Sequence, residues 1–346
     1  MEMNRINLNN MIRLLMIILL ILGCESPNSD DENEQVDQDP VWEDVSQELP
    51  INSSLLLTSV EDRLYVFTEA KLFTSEDQGD TWTRIGSGVP DSVQLTAFDG
   101  LDSIIVLTTY SHGVWVSRDH GETFYQPSNE GLDPTWGICY SVLIIGNTLF
   151  AGAGENAVVY KSSDLGETWS AHNEGLPSRT PAYHTAIGLL REVGSRVLAS
   201  PQSSGIYEST DYGETWFPFS TGLPSKAHVF DFAISDSFLF ASVVAAEFSY
   251  ERGMFRRSFE DWRWTAISNL DWSDWDLHFV VASDSIVVTS GANGILISRD
   301  NGTSWQYYNE GLGDLSEALF YQATIQDNYI YSVKHARGLY RLRLHN

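Results

Sequence analysis

Carboxylates, hydroxyls and imidazoles recur along this sequence in arrangements that chemistry could use. The most regular is Ser-x-Asp-x-Gly-x-Thr followed by an aromatic residue. It is complete at 75–82, 117–124, 162–169 and 209–216, and a fifth copy at 298–305 carries Ser304 in the Thr position. An aspartate flanked by hydroxyls suggests a calcium loop. Calcium takes about six to eight oxygen ligands, however, and the phrase fixes one carboxylate, so Asp77, Asp119, Asp164, Asp211 and Asp300 are read as structural. Each carboxylate can accept N–H groups of its own turn, the hydroxyls can do the same, and the glycine can take a positive φ. Zinc chemistry would need closely spaced ligands, and the eight histidines and two cysteines form no His-x-x-His or Cys-x-x-Cys. No metal and no cofactor is expected. Glycoside hydrolysis would need two carboxylates roughly 5–9.5 Å apart, and Asp231, Glu247, Asp274 and Asp276 are the acids that could furnish a pair. No Ser-His-Asp signature or phosphate-cradling glycine loop stands out.

The elements that position these residues follow from the spacing. From Asp77 to Asp211 the phrase aspartates are 42, 45 and 47 residues apart, then 89 to Asp300, so one copy is missing near 255. A period of about 40–50 residues marks a stacked or radial repeat. The phrases follow short strands opened by glycine, as at 113–116, 205–208 and 294–297, and the same opening recurs without a good phrase at 253–256 and 338–341. The stretch 258–264 is therefore read as the degenerate copy. Upstream lie two more apolar runs, such as 142–145 and 148–151, split by Gly146-Asn147. Downstream comes a run ending in a Gly-Leu-Pro-like turn, as at 169–177. Four strands per unit make a propeller blade. The last unit stops at 340–343 without a fourth strand, whereas 42–50 reads as a fourth strand and turn with nothing before it. Together they complete one blade, with 42–46 beside 338–343. The expected fold class is all-β, a single seven-bladed β-propeller over 42–346, closed by its N-terminal strand so that only short, protected edges remain.

The repeated phrase resembles the Asp-box, or BNR repeat, of sialidase-like, sortilin-like and photosystem-II-assembly-factor-like β-propellers. That resemblance implies that the boxes lie on one face and that ligands meet the other, built by loops between blades and by turns between second and third strands. Those loops contain Trp136, Tyr140, Tyr183, His184, His228, Asp231, Trp275, His278, Tyr321, Gln322, His335 and Arg337. Rings and imidazoles collected there suit a sugar or a peptide; blade-edge packing is the other use for them. The sialidase resemblance also implies a Phe/Tyr-Arg-Ile-Pro phrase, an arginine triad and a Tyr-Glu pair. The nearest stretch, Thr83-Arg84-Ile85-Gly86, follows a box instead. Sialidases have six blades, and Asp-box glucanases set two propellers across a cleft. The protein-binding relatives are therefore the better guide. The expected function is a non-catalytic binding or assembly module for a protein complex or a glycan, the alternative being a glycoside hydrolase.

Arg5 and Arg13 precede nine apolar residues, 14–22, which lead into Gly23-Cys24. The run is too short to span a bilayer and suits a signal-peptide core. The small residue before cysteine resembles the lipobox of bacterial lipoproteins, which implies removal of 1–23 and acylation of Cys24. Several acyl chains anchor stably where one does not. Residues 24–41 are polar and acidic, with no aromatic before Trp42, and are expected to form a disordered tether. The acidic run resembles the export signal of Bacteroidetes-type surface lipoproteins, and a plain solvated linker has the same composition. The expected location is thus the outer membrane of a Gram-negative bacterium, on the periplasmic side or the cell surface. With 47 acidic and 20 basic residues the net charge is −27, which argues against a nucleic-acid partner. Once Cys24 is acylated Cys139 is alone, so it is read as a small buried hydrophobe. A monomer is expected.

Overall fold

The computed structural model describes residues 40–47, 49–50, 55–68, 71–110, 112–132, 139–154, 158–177, 186–245, 252–268, 277–291, 293–315, 319–335 and 337–344. Among these there is no helix, and the strands form seven antiparallel sheets. The first strands are Leu55–Val60, Leu95–Leu101, Cys139–Ile145, Ile187–Val193, Ala227–Ile234, Val280–Ser283 and Phe320–Gln326, numbered here as blades 1 to 7. Each first strand packs against those of its neighbours, and the seventh packs on the first. The ring they make is a seven-bladed propeller with a central channel. Between blades the core is apolar: Leu198 and Ile206 of blade 4, for example, pack with Phe232, Ala241 and Trp264 of blade 5. Cys139 is buried, and that burial pushes its thiol up to about 12.

Ring closure is as the sequence predicts. Glu43 and Asp44 pair with Arg341 and Tyr340 as the outer strand of blade 7. The Arg341 guanidinium then reaches Glu43 at 2.8 Å and Asp80 of blade 1 at 2.6 Å. On the channel side Gln322 accepts the Leu57 N–H at 2.7 Å, and the Ser59 and Thr324 hydroxyls meet at 2.8 Å. One seam is thus joined at both its inner and outer edges.

The five boxes share one hydrogen-bond pattern. Each serine hydroxyl accepts the N–H of the glycine four residues on at 2.7–2.8 Å and donates to one aspartate oxygen. That oxygen accepts the N–H of the Thr or Ser four residues after the aspartate at 2.7–2.9 Å, and the second oxygen takes its hydroxyl at 2.5–2.6 Å. These bonds favour the ionised form. The Thr hydroxyls hold Asp77, Asp164 and Asp211 below the usual carboxylate range, Asp211 at about 2. At Asp119 and Asp300 burial pushes upward but the same kinds of bond outweigh it, leaving Asp300 at about 2. In blade 5 the aspartate stands one place late, and Ser258 bonds Asp261 at 2.8 Å instead.

The aromatic residue closing each box serves the neighbouring blade. The N–H groups of Phe124, Trp169, Trp216 and Trp264 donate to Ser87, Glu130, Glu174 and Thr221 in the preceding turn at 2.7–2.8 Å. Trp42 does the same to Glu310 at 2.9 Å and is buried, so it fills the closing-aromatic position of blade 7 with no box before it. The following glycines, Gly88, Gly131, Gly175, Gly222 and Gly311, have φ of +88° to +100°, and an added Cβ would lie 1.9–2.2 Å from the carbonyl oxygen of that aromatic. Only glycine fits. Blade 2 departs from the pattern by having three strands, with a lone Val116–Tyr125 bridge in place of the fourth. Three residues after the closing aromatic, His172, Phe219, Ile267, Tyr308 and Val45 donate to the third strand. Blade 2 has Pro127 there, which has no N–H to give. The Asn129 amide donates to Val114 in its stead, at 3.2 Å.

Candidate ligand face and central channel

Antiparallel order sets the box turns at one end of the blades and the loops between blades at the other. The first strands begin at that opposite end, and five of them carry an extra residue there: Thr96, Tyr140, Gly188, Phe230 and Tyr321. A β-bulge of this kind re-aims its side chain. The bulges also correct the reading of this region as loop. Tyr140, His228, Asp231, Tyr321 and Gln322 belong to the first strands of blades 3, 5 and 7. An extra residue breaks the alternation of apolar and polar positions, so these stretches do not read as strands.

Four of the expected face residues come together with one more ring. His228 lies 4.8 Å from Phe230, Phe230 6.5 Å from His278, His278 4.7 Å from Tyr321, and Tyr321 5.2 Å from His335, between ring centroids. The ladder crosses blades 5, 6 and 7, and Phe230 and Tyr321 are its two bulge residues. The rings meet tilted or edge-on, at 57–89°, the preferred arrangement of aromatic pairs. Burial lowers the His228 pKa, which favours the neutral imidazole. Arg337 stands beyond His335 in the same turn, which Lys334 props through bonds to Leu312 and Asp314 carbonyls at 2.7 and 2.6 Å. Tyr140 is exposed on blade 3, and Gln322 is turned to the blade 7–blade 1 seam rather than to the ladder. Cys24, Trp136, Tyr183, His184 and Trp275 lie outside the described residues, as do Glu247, Asp274 and Asp276.

Below the ladder the channel holds Arg191, Asp231 and Asp99 among its described residues. Arg191 of blade 4 approaches Asp231 of blade 5 at 3.5 Å, with 46% of the arginine side chain and 17% of the aspartate exposed. Asp231 also accepts the N–H of Phe232 at 2.9 Å and of Val280 in blade 6 at 3.2 Å. Asp99 of blade 2 accepts the N–H of Ile144 in blade 3 at 2.8 Å. Gln322 does likewise toward blade 1, so a side-chain acceptor reaching the next first strand is a recurring device. Desolvation raises both aspartates, Asp99 to about 6, against the pull of Arg191 and the backbone N–H groups. Arg191 stands between two compartments. One, of about 530 Å³, is lined by Phe230, Asp231, His278, Tyr321 and Thr324; the other, of about 390 Å³, by Thr96, Phe98, Asp99, Tyr140 and Ser141. Asp99 and Arg191 escaped the sequence reading. Their signal was a charge inside a largely apolar strand.

No family model and no curated protein sequence matches the chain. Solved structures do. YCF48 bound to D1 peptide superposes with a TM-score of 0.67 at 16% identity, covering 90% of this chain and 97% of that one. The extracellular domain of BT4673 from B. thetaiotaomicron gives 0.66 at 11% identity, over 88% of this chain and 40% of that one. A GH74 xyloglucanase from Xanthomonas campestris gives 0.59 at 16%, over 88% of this chain and 54% of that one. This chain thus spans about half or less of the latter two. The likeness is one of fold.

Proposed function

We propose that the chain is a lipid-anchored, non-catalytic binding or assembly propeller of a Gram-negative envelope, engaging a protein complex or a glycan through the face opposite the boxes. In this reading the repeated phrase is an Asp-box, 1–23 is a signal peptide, Cys24 carries the acyl chains, 24–41 is the acidic tether and 42–346 the monomeric propeller. The outer membrane holds it, on the periplasmic side or the cell surface. The observation that carries the reading is the ring ladder from His228 to His335, because it spans three blades and two of its rings sit on bulges. Trp136, Tyr140, Tyr183, His184, Trp275 and Arg337 complete the proposed face. A YCF48 propeller of the same fold holds a peptide, which accords with capture of an extended chain.

Glycoside hydrolysis is the second reading. Asp99, raised to about 6, has the proton affinity of a general acid, and a GH74 xyloglucanase shares the fold. Against it, both oxygens of Asp231 already bind backbone N–H groups of its own and the next blade. Affinity capture of the lipidated protein from its own membranes, run beside a panel of glycosidase substrates, separates the two. Specific partners lost on replacing His228, His278 and Tyr321 with alanine support the binding module. Turnover that vanishes in Asp231→Asn would sink it. For the anchor, Cys24→Ala should move the protein to the soluble fraction; a variant still membrane-bound in high salt overturns the lipoprotein assignment.

A further inference from the structure

We infer that the channel contains a second site, distinct from the ring ladder, which takes a slender cationic group (an alkylammonium or guanidinium) against Asp99. The compartment is about 390 Å³, enough for one extended side chain, and its lining supplies the Phe98 and Tyr140 rings with the hydroxyls of Thr96 and Ser141. Rings, hydroxyls and one carboxylate are the groups that recognise an ammonium. None of His228, Phe230, His278, Tyr321 and His335 is among its described lining residues.

Arg191 attracts the carboxylate from a distance but makes no ion pair with it. Asp99 accepts the Ile144 N–H, but among the described residues no arginine, lysine or histidine forms an ion pair with it. Arg191, the cation between the two compartments, makes its contact with Asp231. With Arg191 engaged by Asp231, an ionised Asp99 has no ion-pair partner inside a low-dielectric wall, where its charge matters more than at the surface. Arg191 on Asp231 also shows the kind of group these walls accept. The chain's charge of −27 adds a field that attracts cations.

The groups facing Asp99 set how binding depends on pH. They are the Ile144 N–H from blade 3, the Gly100 N–H of its own strand, and Arg191 with Glu192 from blade 4. Desolvation leaves Asp99 titrating near 6, so the carboxylate is ionised above that value and neutral well below it. A cation should therefore bind above pH 6 and be released below.

The test is calorimetric titration of the folded propeller with n-pentylamine and with the tripeptide Gly-Lys-Gly, against 1-pentanol and Gly-norleucine-Gly. At pH 7.5 the amines should bind about tenfold or more tightly than their neutral isosteres, the scale of a desolvated cation contact. The difference should fade as the pH drops through 6. Asp99→Asn keeps an oxygen for the Ile144 N–H and should abolish the difference, with a melting curve confirming that it folds. Arg191→Gln removes the competing positive charge and should tighten amine binding severalfold. Tyr321→Ala, in the ladder, should leave amine binding unchanged, so failure of the ladder reading is distinguishable from failure here. Binding of pentylamine alone identifies a free amine as the ligand class, and binding of both probes a basic side chain. Equal affinity for pentylamine and pentanol, unchanged binding in Asp99→Asn, or no saturable amine binding to folded protein would each overturn the site.

Discussion

On the box face the same atoms make the same hydrogen bonds in five blades; at the opposite end the described bulge residues vary, from Thr96 and Gly188 to Phe230, Tyr140 and Tyr321. The aspartates of the two regions titrate in opposite directions. Asp211 and Asp300 lie at about 2 because hydroxyl and N–H donors surround them, Asp300 despite burial; Asp99 lies at about 6 because desolvation in the channel wall exceeds what its donors return. One residue type thus acts as a turn staple on one face and as a desolvated charge within. The staple takes hydroxyl and N–H donors from its own turn, whereas the channel aspartates take a backbone N–H from the next blade. Constraint lies on the box side and freedom to specialise on the other.

That contrast can be broken experimentally. Trp42→Ala should be the most damaging change, about 3–5 kcal/mol, because it empties the closing-aromatic position of blade 7 and its link to Tyr308 at 2.7 Å; urea unfolding measures the loss. Gly175→Ala comes next, at about 3 kcal/mol, since it combines a positive φ with a contact 1.9 Å from the Trp216 carbonyl oxygen. A melting temperature equal to wild type would show that the inter-blade turn can relax. Asp211→Ala removes the staple of a single box and should cost about 1–2 kcal/mol.

The pH dependence sharpens the comparison, and the two regions have opposite signs. Asp211 binds its proton less readily folded, at about 2, than in the unfolded chain near 3.9. Its contribution is full above that range and lost as pH falls through 2. Asp99 binds its proton more readily folded, so its ionised form opposes folding as pH rises through 6. Asp211→Ala should therefore lie below wild type at pH 7 and converge with it near pH 2. Asp99→Asn should equal or exceed wild type at pH 8 and lose that advantage by pH 4. Stability curves of the two variants that move together with pH would refute the assignment of opposite environments. The smallest effect on folding is expected from Tyr321→Ala, under about 1 kcal/mol for a partly exposed ring, although capture of partners through the ladder should fail.

Much of this is legible in the residues alone. The period of the phrase, the unpaired ends at 42–50 and 340–343, and the degenerate copy at 258–264 led to seven blades and to their closure. The box bonds span four residues or fewer, so a local window contains every atom involved. The place of Trp42 was less visible, because its partners Glu310 and Tyr308 stand at the far end of the chain, although an aromatic ahead of a lone fourth strand was a usable signal. The ring ladder was half visible, as histidines and aromatics named one by one without their order. Its bulges were hidden because one inserted residue shifts every following side chain to the other face of a strand.

Chain order alone therefore specified the repeat, its number and its seam, since hydrogen bonds within a turn and strand alternation are short-range matters. Folding decided the rest. Asp99 meets Ile144 across 45 residues, Asp231 meets Val280 across 49, and Gln322 meets Leu57 across 265. Neither the ladder of rings nor the desolvated channel carboxylate exists in any one blade. Each arises where the first strands of several blades converge on one axis, and that convergence brings together residues whose separation along the chain carries no local signature.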